Sequence, residues 1–263
     1  MSAAASTSVH PSAVVDDAAV LEDGVVVGPG CVVGAGVRLG AGTRLIASVV
    51  ILGPTTLGAR NVVHPFAVLG GEPQDRTYAG EPTTLVVGDD NVFREHVTAH
   101  RGTVKDHGVT TIGSGGLFMA GSHVAHDCVV GDGVTLANGT LLGGHVRLGD
   151  GVVTGGHVAI APFVRVGRLA FLAGAARVER DVPPFVIAAG DRARVRALNQ
   201  VGLTRSGFGH DRTRALEVAF RRLFRSREPR ALVLDEVQRA AAGDALASEL
   251  VASVIETRRR GLV

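Results

Sequence analysis

From Ile112 to Val178 an aliphatic or similarly compact residue returns at every sixth position without a break. The anchors are Ile112, Phe118, Val124, Val130, Leu136, Leu142, Leu148, Thr154, Ile160, Val166, Leu172 and Val178. A period of six fits neither a 3.6-residue helix nor an alternating strand, but it predicts a parallel β-helix in which three hexads make one triangular coil. The same rhythm precedes it at Val9, Val15, Leu21, Val27, Val33, Leu39, Leu45, Ile51, Leu57, Val63 and Leu69, and then at Val87, Phe93 and Ala99. Eleven, three and twelve anchors give 26 hexads, or between eight and nine coils.

Composition agrees. There are 36 glycines, aromatics make up 4% and tryptophan is absent, as expected where small residues turn corners and branched aliphatics fill a narrow interior. Collagen is excluded, because glycine does not recur every third residue and prolines number only 10. Cys31 and Cys128 lie far apart and fit no metal-ligand spacing, so they are expected as small buried hydrophobes in a reducing compartment. Residues 1–10 carry no basic segment followed by an apolar one, and no uninterrupted apolar span of about 18 residues occurs. A cytoplasmic protein without stable membrane insertion is the expectation.

Two stretches interrupt the hexads. Gly70 to Thr84 and Val104 to Thr110 are each expected to loop out from a corner, where insertions in a repeat commonly carry function. The prism is predicted to stop at Asp181-Val182-Pro183-Pro184, since proline cannot donate to a ladder. Residues 1–189 then form a β-helix domain and residues 190–263 a small helical one. Leu216, Ala219, Phe220, Leu223 and Phe224 fall at helical spacing behind a candidate cap at Asp211, and Leu246, Leu250, Val254 and Ile255 do so behind Asp244.

Charge is divided between the two parts. Residues 191–263 hold 15 arginines against 9 acids, which suits an acidic partner or phosphorylated ligand, or simply a solvated helix surface. Nucleic acid is not the expected partner, because the arginines are not interleaved with aromatics. The flat prism sides, rich in small residues, favour packing into a symmetric oligomer, with a cyclic trimer expected.

Ser122-His123-Val124-Ala125-His126-Asp127-Cys128 is the only place where histidines and a carboxylate crowd together on this ladder. Residues 18 apart share a place on adjacent coils, so Gly144 should stack on His126 and His145 on Asp127. A histidine facing a cleft, with a glycine N–H one coil away, supplies a general base and an oxyanion donor. That pair suits acyl transfer to a hydroxyl with no serine or cysteine nucleophile. A metal at His123 and His126 is disfavoured, since three-residue spacing on a β-helix does not bring two side chains to one face, and no cofactor is expected.

At these residues the chain resembles the UDP-N-acetylglucosamine acyltransferases that begin lipid A biosynthesis. The motifs that carry the resemblance are Tyr78-Ala79-Gly80-Glu81-Pro82-Thr83, His100-Arg101-Gly102-Thr103, Val124-Ala125-His126-Asp127-Cys128, Asp181-Val182-Pro183-Pro184 and the tail from Asn199 through Gly207-Phe208. The resemblance implies a homotrimer of left-handed β-helices, each followed by a small helical domain. Its reaction moves a 3-hydroxyacyl group from acyl carrier protein to the glucosamine 3-hydroxyl of UDP-N-acetylglucosamine, in a cleft between subunits. It further implies that His126 is the general base, Asp127 its supporting carboxylate and Gly144 the oxyanion donor. Gln74, Asp75, His123 and His145 match positions near the sugar, Asn199 and Arg205 positions near the nucleotide. Gly174 matches the position limiting acyl length, and the basic helices would receive the acidic carrier.

Departures from the family pattern are Ala161-Pro162 in place of a His-Gln pair, Thr77 in place of a lysine, Val201 in place of an acid and Ser206 in place of an arginine. They bear on acceptor recognition more than on the base. The alternatives are an N-acyltransferase acting on a 3-amino or other UDP-aminosugar, a diverged hexapeptide paralogue, and a scaffold or zinc-binding β-helix. A relative with an added N-terminal uridine-binding domain is disfavoured, because the hexads begin by Val9.

Overall fold

The computed structural model describes residues 6–257 and 261–263. Twenty-eight short strands, from Ser8–Val9 to Arg194–Leu198, precede four helices. They form three sheets of eleven, nine and eight strands, in which neighbours are three strands apart along the chain as far as Arg177–Val178. In the second sheet Val14–Val15 pairs in parallel with Val32–Val33, and that strand with Val50–Ile51. The fold is the left-handed parallel β-helix.

Every hexad anchor from Val27 to Val178 is buried, Thr154 included. The exceptions are Val9, 44% exposed, Val15 and Leu21, which belong to the first coil and have no coil beneath them. Each interior leucine or isoleucine contributes about 1.5–3 kcal/mol by leaving water. Cys31 and Cys128 are both buried and free, and burial pushes the Cys128 thiol up to about 12.

Both breaks loop out. The first leaves after Gly71 and returns at Thr84, so Val62 pairs with Val92; the second leaves after His100 and returns at Val109, so Val92 pairs with Leu117. Arg101 staples the base of the first loop. The residue is 7% exposed, and its guanidinium donates to the carbonyls of Gly53 and Gly70 and to the Tyr78 hydroxyl, the last two at 3.0 Å.

Toward the C-terminus the structure departs from the sequence reading. The prolines interrupt the first sheet without ending it: Val186–Ala189 resumes the parallel ladder on Phe171–Leu172, and Arg194–Leu198 folds back antiparallel on it. Residues 194–198, expected in the helical part, are therefore strand. Helices follow as α1 (Gln200–Arg205), α2 (His210–Arg225), α3 (Arg230–Ala240) and α4 (Ala245–Glu256). Asp244 caps α4 as predicted, accepting from Ala247 N–H at 2.8 Å. Gly209, not Asp211, occupies the N-cap of α2, leaving Asp211 in the first turn where its charge favours the helix dipole. Ile255, expected on the apolar face of α4, is 47% exposed.

Arg168 ties the helices to the prism. Its Nε lies 2.8 and 2.9 Å from the two carboxylate oxygens of Glu249 on α4, and its guanidinium lies 4.7 Å from the centre of the Phe185 ring. Among the described residues no helix is long and apolar enough to cross a membrane.

Candidate active site

His126 and Asp127 occupy a corner between the second and third sheets. Asp127 takes the left-handed conformation there (φ 59°), and the same corner position on the next two coils holds His145 (φ 62°) and Phe163 (φ 65°). The result is a column of carboxylate, imidazole and phenyl side chains at sites where many corners use glycine. The His145 ring stacks on Phe163, 4.3 Å between centres, and meets His126 edge-on at 5.3 Å.

The Asp127 carboxylate is fully buried and fully engaged. Oδ1 accepts from the Thr103 N–H at 2.8 Å, and Oδ2 from the Thr103 hydroxyl at 2.7 Å. Oδ2 also lies 2.8 Å from Nδ1 of His126. A carboxylate can only accept, so Nδ1 carries the proton and the Nε2 lone pair is left free. The Asp127 N–H in turn donates to the Thr110 hydroxyl at 2.8 Å.

Gly144 lies one coil on, as the 18-residue spacing predicts. A Cβ at this position would come within 2.7 Å of Nε2 of His126, so only glycine leaves room for the ring. The flanking amides are used, Gly143 N–H by the Ile160 carbonyl and His145 N–H by that of His126. Among the described residues no carbonyl accepts from the Gly144 N–H.

An open groove runs past this corner. Gln74, His123, His126 and Gly144 line its polar end, and Leu141, Leu142, Ala159, Ile160 and Pro162 its apolar wall. Leu141 is 49% exposed there, a surface suited to a flexible chain. His123 is held by the Thr98 hydroxyl at 2.7 Å, and His100 lies edge-on against it. Burial, then the His126 charge, lowers the His123 pKa; burial, then His123, His126 and Arg101, lowers that of His100 to about 4. Asp75, beside Gln74, accepts from Lys105 at 2.6 Å and from the Thr77 N–H and hydroxyl at 2.9 Å. Lys105 foremost, and then Thr77, hold its carboxyl well below the usual range.

One chain thus brings together Gln74, Asp75, His123, His126, Asp127, Gly144 and His145. Gly174, Asn199 and Arg205 stand apart from the groove lining. Gly174 is exposed at a corner between the first and second sheets. Asn199 is buried and caps α1 through Gly202 N–H at 3.0 Å, while its amide donates to the Leu169 carbonyl at 2.8 Å. Arg205 is exposed in the last turn of α1.

Candidate ligand atoms of His126, Asp127 and His145 lie within 4.8 Å of one another. Three donated protons already occupy the Asp127 oxygens, which suits a buried base-supporting carboxylate better than a cation ligand. Thr103, Thr110, Lys105 and Asp106, whose Oδ2 lies 3.2 Å from Nδ1 of His145, were not legible in the hexad pattern. The sequence signal for them is the second break, which holds Lys105, Asp106 and Thr110 and begins beside Thr103.

The family model described as UDP N-acetylglucosamine O-acyltransferase, domain 2, matches residues 181–263. The acyl-(acyl-carrier-protein)–UDP-N-acetylglucosamine O-acyltransferase of Caulobacter vibrioides is 48% identical over 244 residues, 93% of each chain. Its counterpart in Synechocystis is 48% identical over 90% of this chain and 86% of its own. The crystal structure of UDP-N-acetylglucosamine O-acyltransferase from Moraxella catarrhalis superposes with a TM-score of 0.93 at 40% identity, covering 97% of this chain and 99% of that one. Fold and relatives together define a hexapeptide-repeat acyltransferase. Within that class the chain belongs to the acyl-(acyl-carrier-protein)–UDP-N-acetylglucosamine O-acyltransferase family.

Proposed function

We propose that this protein transfers a 3-hydroxyacyl chain from acyl carrier protein to the 3-hydroxyl of UDP-N-acetylglucosamine, the first step of lipid A biosynthesis, in the cytoplasm. The observation that carries the reading is the Asp127–His126–Gly144 arrangement at the mouth of a half-apolar groove. Nε2 of His126 takes the proton from the sugar hydroxyl as its oxygen attacks the thioester carbonyl. The Gly144 N–H stabilises the oxyanion of the tetrahedral intermediate, and the thiol of the carrier leaves with the proton that His126 returns. Asp127 holds the imidazole in the required tautomer and supports its positive charge. Gln74, Asp75, His123 and His145 orient the sugar.

The 1–189 prism and 190–263 tail divide the work, prism for chemistry and tail for the carrier. In a homotrimer, packing subunit against subunit brings Gly174 and the tail's Arg205 to a groove that one chain leaves without them, while Asn199, buried in its own subunit, holds the start of the α1 turn that carries Arg205. The arginine-rich helices then receive the acidic carrier and raise its on-rate. The test supplies 3-hydroxyacyl carrier proteins with either UDP-N-acetylglucosamine or its 3-amino counterpart. An ester product from the first supports the reading; an amide from the second alone makes the protein an N-acyltransferase. Mixing inactive His126→Ala chains with inactive Arg205→Ala chains should restore activity through mixed trimers, and failure to do so argues against a shared cleft.

A further inference from the structure

Lys105 is the only lysine among 27 lysine and arginine residues. It stands on the second loop, half exposed, with its ammonium 2.6 Å from Oδ2 of Asp75 on the first. The Asp75 side chain is only 15% exposed, so the pair is partly shielded from water. Neighbours of Lys105 hold the rest of the site: Arg101 reaches Tyr78 at 3.0 Å, Thr103 reaches Asp127 at 2.7 Å, and Asp106 lies 3.2 Å from His145. Two loops and the catalytic corner therefore form one hydrogen-bonded frame. Within it, Lys105 is the member that reaches the Gln74-Asp75 end, where Gln74 lines the groove beside His126.

We propose that Lys105 is a positioning residue for the acceptor: by clasping Asp75 it fixes the Gln74-Asp75 segment against the groove and sets affinity for the sugar nucleotide without taking part in proton transfer. This rests on the reading that the groove takes UDP-N-acetylglucosamine. A lysine suits the place, because a compact ammonium has three N–H donors and only one is engaged by Asp75. Thr77, which donates twice to the other oxygen, completes the clasp from inside the loop.

The experiment compares wild type, Lys105→Met, Lys105→Arg, Asp75→Asn and the double variant Lys105→Met/Asp75→Asn in steady state. Lys105→Met should raise KM for the acceptor about threefold to tenfold, with kcat within about twofold and the donor KM unchanged. Lys105→Arg should restore the acceptor KM, and Lys105→Met should add nothing in the Asp75→Asn background. An unchanged acceptor KM, or full additivity in the double variant, overturns the proposal. Amide exchange gives a readout independent of the reaction: exchange at Thr77 and Tyr78 should quicken in Lys105→Met, and unchanged exchange there also overturns the clasp. Absence of turnover in wild type would count against the proposed reaction alone, since exchange then decides the clasp.

Discussion

One coil beyond His126, the backbone of Gly144 runs so close that an added Cβ would lie 2.6 Å from Cε1 and 2.7 Å from Nε2 of the imidazole. The φ of Gly144 is not left-handed, so alanine suits its backbone and strains only the histidine. Gly144→Ala should therefore fold normally and retain its N–H, yet lose about 10²-fold in kcat through displacement of the ring. Circular dichroism together with turnover checks this, and a wild-type rate would mean that the ring does not work from this position.

Asp127→Asn separates charge from shape. The carboxylate accepts from Thr103 twice and lies against Nδ1 of His126. An amide turns one N–H₂ toward a donor or holds the imidazole in the wrong tautomer. The expected loss in kcat is about 10²–10⁴-fold, with about 1–3 kcal/mol of stability for the mispaired buried group. Turnover and urea unfolding measure the two separately.

His100 makes part of the stability acid-sensitive. Among the described residues its Nδ1 is buried without a partner, and burial foremost lowers its pKa from 6.5 to about 4. Between those values the unfolded chain takes up a proton that the folded chain refuses, so this contribution to stability falls as pH drops from 6.5 toward 4. Wild type should lose about 2 kcal/mol more than His100→Gln between pH 7 and pH 4.5. Equal losses in urea unfolding would contradict the assignment.

Gly174 is open to enlargement. A Cβ there would meet nothing nearer than the Gly156 carbonyl oxygen at 3.5 Å, an ordinary contact, and no left-handed φ demands glycine. Gly174→Met should keep the fold and shift donor preference toward shorter acyl chains by about 10-fold or more, as competition between carriers of different chain length would report. An unchanged preference would remove Gly174 from the acyl path.

The prism is readable because one period serves every coil: outside the two breaks, every hexad anchor from Val27 to Val178 is buried. The same arithmetic stacked Gly144 on His126 and His145 on Asp127. Contacts made by Thr103, Lys105 and Asp106 have no period to announce them, since they cross from an irregular loop to residues 24 to 39 positions away, and Thr110, in the strand Val109–Ile112, meets the Asp127 N–H 17 positions on. Arg194-Val195-Arg196-Ala197-Leu198 alternates as a strand should, but five residues between prolines and a helical tail are too short a stretch for alternation alone to separate strand from helix. Gly209 takes the cap in place of Asp211 because the chain turns into α2 two residues earlier, where no side-chain cap bond forms.

The most direct test of the account is the turnover of His126→Ala against wild type, in protein shown to be folded, with 3-hydroxyacyl carrier protein and UDP-N-acetylglucosamine. His126 packs at a groove wall with its side chain 15% exposed, so its truncation should leave the coils intact while kcat falls about 10²–10⁴-fold. A folded His126→Ala protein that turns over at the wild-type rate would contradict the assignment of His126 as the base.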